Sequence, residues 1–325
     1  MQTTALAATV QELIAAIADA SIARVLLTGD DDYRLTEELR LNRTITIRGL
    51  APNRTTVIAA VAAGVMQVSS GATARLEWLD LAGSDNEPKG AVYNEGNLVL
   101  SDCWLRDNVG GAVVNYRGNM TAVRSIFHNN SGERFAGAAT VLGGAAFMFL
   151  DDCTFSDNRG RNGGALHLLK SPPRDHDSPT VRVSGCRFIN NSAEANGGSL
   201  FAQSATLVVR RTVFLGNHVS AQAKSLGGAV ALNNATASLD DCSFRSNVAA
   251  HGGGAIMSTS GRLSISGGEL IANAATVGAA LLFNADSSPN APVGGPSGHI
   301  CVSATRLQTG ARPVACLPAA AACIP

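Results

Sequence analysis

The sequence predicts an all-β fold, a single-stranded parallel β-helix (β-solenoid) with an N-terminal capping helix, and three observations predict it. Gly-Ala dipeptides recur at Gly90, Gly111, Gly137, Gly164, Gly228, Gly254 and Gly278, with Gly198-Ser199 as a variant. A unit of roughly 21 to 34 residues cannot enclose an apolar face alone, so it must stack on its neighbours and share one continuous core. Between the dipeptides runs a second motif, apolar-x-apolar-x-x-small-x-Phe, which ends in Phe-x-x-Asn. Within its apolar-x-apolar piece the period is two, as a strand requires, and the offset of three before the small residue marks a corner.

Residues 1–21 form the capping segment. Thr9 and Glu12 make a capping box ahead of Val10, Leu13, Ile14 and Ile17, whose spacing gives one apolar helical face to lie over the first coil. Residues 22–307 are the β-helix, opening with strands at Val25 to Leu27 and at Ile45 and Ile47. Its clearest coils read Leu98, Leu100, Cys103, Leu105; then Met120, Ala122, Ser125, Phe127; then Met148, Leu150, Cys153, Phe155. The series continues through Val181, Leu207, Ala237 and Leu263, with fainter copies at Ala74 and Ile300. Like positions of successive coils lie about 4.8 Å apart. Phe127, Phe155, Phe188, Phe214 and Phe244 therefore form an interior aromatic file capped by leucines, beside a small-residue file that holds Cys103, Cys153, Cys186 and Cys242.

Asn108, Asn130, Asn158, Asn191, Asn217, Asn247 and Asn273 close the Phe-x-x-Asn motifs. Asparagine tolerates the left-handed backbone of a tight bend, so each is expected to make the second corner and to pass amide hydrogen bonds from coil to coil. The Gly-Ala-apolar piece supplies a third strand, giving three strands and three corners per coil. Residues 308–325, rich in Ala, Pro and Cys, read as an irregular C-terminal cap or linker.

Composition narrows the function. Lys plus Arg and Asp plus Glu are both 25, and charged residues are 15% of the chain, so the basic stripe that nucleic acid requires is missing. No stretch approaches the roughly 18 apolar residues of a membrane-spanning helix. The first basic residue is Arg24, so an exported form is expected to be mature or trimmed.

The interleaved motifs, as in Gly253-Gly254-Ala255-Ile256 and Phe244-Arg245-Ser246-Asn247, resemble the repeats of the chlamydial polymorphic outer-membrane protein family over residues 74–307. The resemblance implies a right-handed, pectin-lyase-like parallel β-helix, secreted or held at the cell surface in association with an outer membrane, and acting in adhesion. The family's membrane barrel does not fit into residues 308–325, since a barrel needs at least eight strands of about ten residues.

Parallel β-helices also carry carbohydrate-active enzymes, whose sites need clustered carboxylates with a basic partner. The first corner is one place to look: down the stack it carries Asp102, Arg124, Asp152, Gly185, Arg211 and Asp241, acids alternating with arginines in a pattern suited to a solvated ion-pair ladder, with Arg211 beside Asp241. Asp152 is the corner's candidate acid. The second place is the loop Lys170 to Asp177, where Lys170, Arg174, Asp175 and Asp177 offer two cations and two carboxylates; the plainer reading is a proline-stiffened surface loop.

The six histidines show no metal-ligand spacing, and Asp30-Asp31-Asp32 reads as a turn, so no metal and no cofactor are expected. The cysteine file reads as reduced packing, and a bridge is expected, if anywhere, among Cys301, Cys316 and Cys323. Six Asn-x-Ser/Thr sequons, at Asn42, Asn53, Asn119, Asn129, Asn190 and Asn234, weakly favour secretion. The function expected is a non-catalytic extracellular or cell-surface solenoid, an adhesin or structural scaffold whose partners are surface glycans or proteins. The alternative is a polysaccharide lyase or glycoside hydrolase on the same fold.

Overall fold

The computed structural model describes residues 3–59, 63–170, 177–220, 225–284, 299–303, 305–308 and 314–317. Every strand pairing in it is parallel and joins one coil to the next. The first-strand positions stack in register, Leu98 on Met120, Met148, Val181, Leu207, Ala237 and Leu263. The result is a parallel β-solenoid.

Three sheets run along it, of 21, 11 and 4 strands. The broad sheet takes two strands from each coil, the Gly-Ala-apolar strand and the apolar-x-apolar strand that follows. These are not on separate faces, as the sequence suggested. One left-handed residue between them (Arg117, Ser204), or two (Gly143 and Ala145), bends the chain without leaving the sheet. Around Asn234 and Ser260 the two strands fuse into Val230–Asp240 and Ile256–Ser266. The second sheet carries the phenylalanines. The third, unforeseen, consists of short pieces just after the Asn corner: Ser131–Gly132, Arg159–Asn162, Ser192–Asn196 and His218–Val219.

The interior file is as the repeat requires. Phe127, Phe155, Phe188, Phe214 and Phe244 are fully buried, with successive ring centroids 4.6, 4.7, 4.9 and 4.5 Å apart. Leu81 and Leu105 continue the file on one side and Leu270 on the other. Burial of each ring contributes on the order of 1.5 to 3 kcal/mol. Cys103, Cys153, Cys186 and Cys242 are buried, unbridged thiols. Burial pushes Cys103 up to about 12 and Cys242 up to about 11, and the Cys186 thiol is raised as well, first by its hydrogen bond with Cys153 and then by burial. Cys301 is an exposed thiol, and the side chains of Cys316 and Cys323 lie outside the described residues.

The corners correct one expectation. The residue that takes the left-handed backbone is the one before the motif asparagine: Asp107, Asn129, Asp157, Asn190, Gly216, Ser246 and Ala272. The asparagine itself turns inward. In Asn191 the amide Nδ2 donates to the Phe155 carbonyl (2.9 Å) and to Asn217 Oδ1 (3.0 Å), while Oδ1 accepts from the backbone and amide nitrogens of Asn158 (3.1 and 2.9 Å). A ladder of this kind satisfies backbone groups that the bend would otherwise bury unpaired. Glycine is required at the third bend, where Gly253 has φ +65° and an added Cβ would lie 2.3 Å from the Ile256 carbonyl oxygen.

At the N-terminal end the helix Val10–Ala18 has the expected capping box between Thr9 and Glu12 and buries Leu13 and Ala16. Its last carbonyls, of Ala16 and Ile17, accept from the Arg43 guanidinium. A strand, Thr3–Ala7, precedes the helix and pairs with Ile22–Leu27. Thr-Thr-Ala-Leu-Ala carries too little alternation for periodicity to show it. Tyr33 opens the interior file and locks this end, its hydroxyl donating to the Ala7 carbonyl at 2.5 Å. At the other end, the segment expected to be irregular contains a further strand, Val314–Leu317, paired with Leu281–Asn284. Among the described residues no helix is long and apolar enough to cross a membrane.

Candidate functional site

The first-corner acids are spread along the stack. Asp152 is exposed, with left-handed backbone (φ 52°), just beyond the strand Phe147–Asp151. Asp177 is also exposed, but it precedes the strand Thr180–Ser184, which lies beside Phe147–Asp151 with Phe147 opposite Thr180. A whole strand of about 3.3 Å per residue therefore separates the two carboxylates, and the backbone does not bring them together. Lys170 is half-buried, its N–H bound to the Gln203 carbonyl at 3.3 Å. Arg174 and Asp175 lie outside the described residues. Among the described residues no group of three or more His, Cys, Asp or Glu is arranged to hold a metal ion.

The predicted ladder forms in part. Arg124 grips Asp102 with both arms, Nε to Oδ1 at 2.9 Å and an Nη to Oδ2 at 2.8 Å. Arg211 does not pair with Asp241. Its guanidinium reaches back one coil to Ser184 Oγ at 3.0 Å, where Gly185 leaves the corner without a side chain.

A second constellation sits on the outward face of the Phe sheet, near its N-terminal end. The chain has two tryptophans, and both belong to it. Trp78 occupies a first corner (φ 56°), and Trp104 begins the next coil's strand Trp104–Arg106. Thr55 is opposite Leu79, which places Arg54 beside Trp78 from the preceding coil. The Arg54 guanidinium lies 5.6 Å from the Trp78 ring centroid and 4.7 Å from that of Trp104, within cation–π range, and its Nε donates to the Asp102 carbonyl at 2.7 Å. One arginine thus spans three coils.

Asp80 stands between Thr56 and Trp104 in the outward file. Arg106 binds its Oδ2 through Nε at 2.9 Å and through an Nη at 2.8 Å, and turns its other arm to Asp107 at 2.8 Å. Although it points outward, Asp80 is only 5% exposed, and its Oδ1 has no hydrogen-bond partner. Burial raises its pKa above the usual carboxylate value despite Arg106. Asp107 is held below that value by Asn129 and Arg106. Arg54, Arg106 and Arg124 face Asp80, Asp102 and Asp107, three charges against three, so the cluster is neutral. Trp104 remains 37% exposed. A concavity of about 460 Å³ adjoins Arg54 and is lined by Asp30, Asp31, Asp32, Leu50, Asn53 and Thr56 among others.

The repeat pattern of the sequence singles out neither Trp78 nor Trp104. The site is assembled from three successive coils, so no local pattern contains it. The available signal was that the chain's two tryptophans fall about one coil apart.

A family model described as "Right handed beta helix region" matches residues 84–270, more than half of the chain. Among curated proteins, "Metabotropic glutamate receptor-like protein R" of Dictyostelium discoideum is 30% identical over 127 residues, which is 37% of this chain and 7% of that protein. The matched part is therefore a small fraction of that relative's length. No solved structure matches the chain.

Proposed function

The chain belongs to the right-handed β-helix family, and from that premise we propose that it is a non-catalytic solenoid scaffold, displayed at a cell surface or secreted, that binds glycans or proteins on its flat faces. The observation that carries this reading is the pairing of charge on the exterior. Asp80 with Arg106, Asp102 with Arg124, Glu194 with Arg159 and Glu269 with Arg245 are joined across coils. A glycosidase or lyase uses carboxylates that converge on one bond, with at least one kept protonated or free to take a proton. Carboxylates that are each tied to an arginine of a neighbouring coil, and spread along the stack, do not converge on one bond and serve a surface rather than a proton transfer. The Dictyostelium relative's name, receptor-like, supports a role in display and recognition. The adhesin role implied by the chlamydial resemblance is the finer form of the same proposal.

The test is incubation with pectic and other acidic polysaccharides, with and without calcium, alongside binding to a glycan array. The expected result is capture of one or more glycans with no shortening of any chain. Depolymerisation that disappears in Asp152→Asn or Asp177→Asn would replace the scaffold with the enzyme reading.

A further inference from the structure

We infer that the face formed by Trp78, Trp104, Arg54 and Asp80 is a binding subsite for an uncharged saccharide chain. The inference rests on the scaffold reading and deepens it by naming the ligand class and the residues. Three independent features point the same way. Trp104 presents an apolar ring at the surface, and the guanidinium stacked over it fixes its orientation before any ligand arrives, which lowers the ordering cost of binding. A planar indole of this kind matches the C–H face of a pyranose ring.

Asp80 supplies the second feature. A carboxylate oxygen buried on the outward side of a sheet, with no donor to satisfy it, is costly unless something supplies a hydrogen. A sugar hydroxyl is such a donor, directly or through one water. Arg106 already saturates the other oxygen, so Asp80 is anchored, while Oδ1, covered from solvent in the free protein, still lacks a donor. The adjoining concavity adds Asn53 and Thr56 as further hydroxyl partners.

The third feature is charge, and it selects the class. Each arginine is committed: Arg124 to Asp102, Arg106 to Asp80 and Asp107, Arg54 to a carbonyl and two rings. A uronate or sulfated chain would have to break one of these pairs and would also meet Asp30, Asp31 and Asp32 at the rim. A neutral chain meets no such opposition. Successive coils advance by about 4.8 Å, comparable to one pyranose unit, so consecutive sugars can lie on consecutive coils.

Because both tryptophans are in the site, the protein carries its own reporter. Neutral hexasaccharides (cello-, xylo-, manno- and malto-series) and two polyanions (polygalacturonate and heparin) are titrated against the full chain while tryptophan emission is followed. At least one neutral series is expected to give a saturable change, insensitive to added salt and weakened about tenfold or more in Trp104→Ala. In Trp78→Phe the change should persist, reported by Trp104 alone. Far-UV circular dichroism and the urea midpoint establish that each variant is folded, and Trp104→Phe, which keeps a ring, should recover most of the affinity.

Three results would overturn the inference. One is no emission change with any neutral chain up to millimolar concentration. Another is salt-sensitive binding of the polyanions only. The third is glycan-array binding that survives Trp104→Ala, which refutes this site but leaves the scaffold reading standing. Chain shortening, in contrast, refutes the scaffold reading itself.

Discussion

Replacing Asn191 by alanine removes four hydrogen bonds at once from a fully buried position: two donated by its amide and two accepted by its Oδ1. The side-chain volume lost is small, so the cost comes from what is left behind. The Phe155 carbonyl, the Asn158 backbone N–H and one Asn158 amide hydrogen become unsatisfied, whereas Asn217 Oδ1 still accepts from the Asn191 backbone nitrogen at 3.0 Å. At about 1 to 3 kcal/mol for each buried orphan, and allowing for relaxation of the bend, the loss should be roughly 3 to 6 kcal/mol. Asn191→Asp is a stringent companion, because it keeps the acceptor and turns the donor into a second acceptor facing the Phe155 carbonyl. It should be at least as damaging. Asn129, one of the exposed left-handed residues, makes a single described side-chain bond, to Asp107, and its alanine variant should cost under about 1 kcal/mol. The assay is urea unfolding followed by circular dichroism, with the slope compared between variants because a stacked solenoid can lose a few coils before the rest. A loss below about 1 kcal/mol for Asn191→Ala at unchanged slope would show that the ladder is incidental.

Phe188→Ala opens the middle of the aromatic file and should cost about 3 to 5 kcal/mol, while Phe188→Leu, which imitates the file's own ends, should cost under about 1.5 kcal/mol; thermal and urea midpoints measure both. His167 is buried between Phe135 and Phe201, at centroid distances of 6.0 and 5.2 Å, and burial lowers its pKa from 6.5 to about 4. The unfolded chain therefore takes up the proton first as pH falls, so about 3 kcal/mol of stability present above pH 6.5 should be lost by pH 4, and His167→Phe should flatten that slope in a pH series of midpoints. Arg106→Ala strands the Asp80 carboxylate and should cost about 2 kcal/mol, less than for a fully buried pair because Arg106 is 36% exposed. That cost is present above the raised folded pKa of Asp80 and relieved as pH falls through it, and Asp80→Asn should remove most of it in a double-mutant cycle.

What was legible in the sequence is what one coil shares with the next. Leu98, Met120 and Met148 could be aligned by eye because the interior tolerates only side chains that lie over their like, so the file is written out at every repeat. The same holds for the phenylalanines and the asparagines. The left-handed residue of the second corner was misplaced by one position because both Asn and its predecessor accept a bend. What decides between them is the buried carbonyl, such as that of Phe155, which only an inward amide reaches. The short third sheet was missed because Gly132 and Gly160 interrupt its alternation. The Trp78, Arg54 and Trp104 cluster joins residues two coils apart, and its members share no template position that alignment could reveal.

That contrast separates what the stack fixes from what its surface is free to vary. On the Phe sheet the inward file repeats one ring, yet the outward file beside it runs Thr56, Asp80, Trp104, Ile126, Thr154, Arg187, Val213, Ser243 and Glu269, with no two neighbours alike. The backbone of each coil is set by its neighbours and by the inward residues, so outward side chains can change at little cost to the fold. A site built outward therefore need not weaken the stack. Asp80 is the exception on which the proposed subsite rests, since there the outward file accepts a buried, half-satisfied carboxylate that a threonine like its neighbour Thr56 would have avoided. Stability here is a property of the repeat, and the proposed binding face is a departure from it.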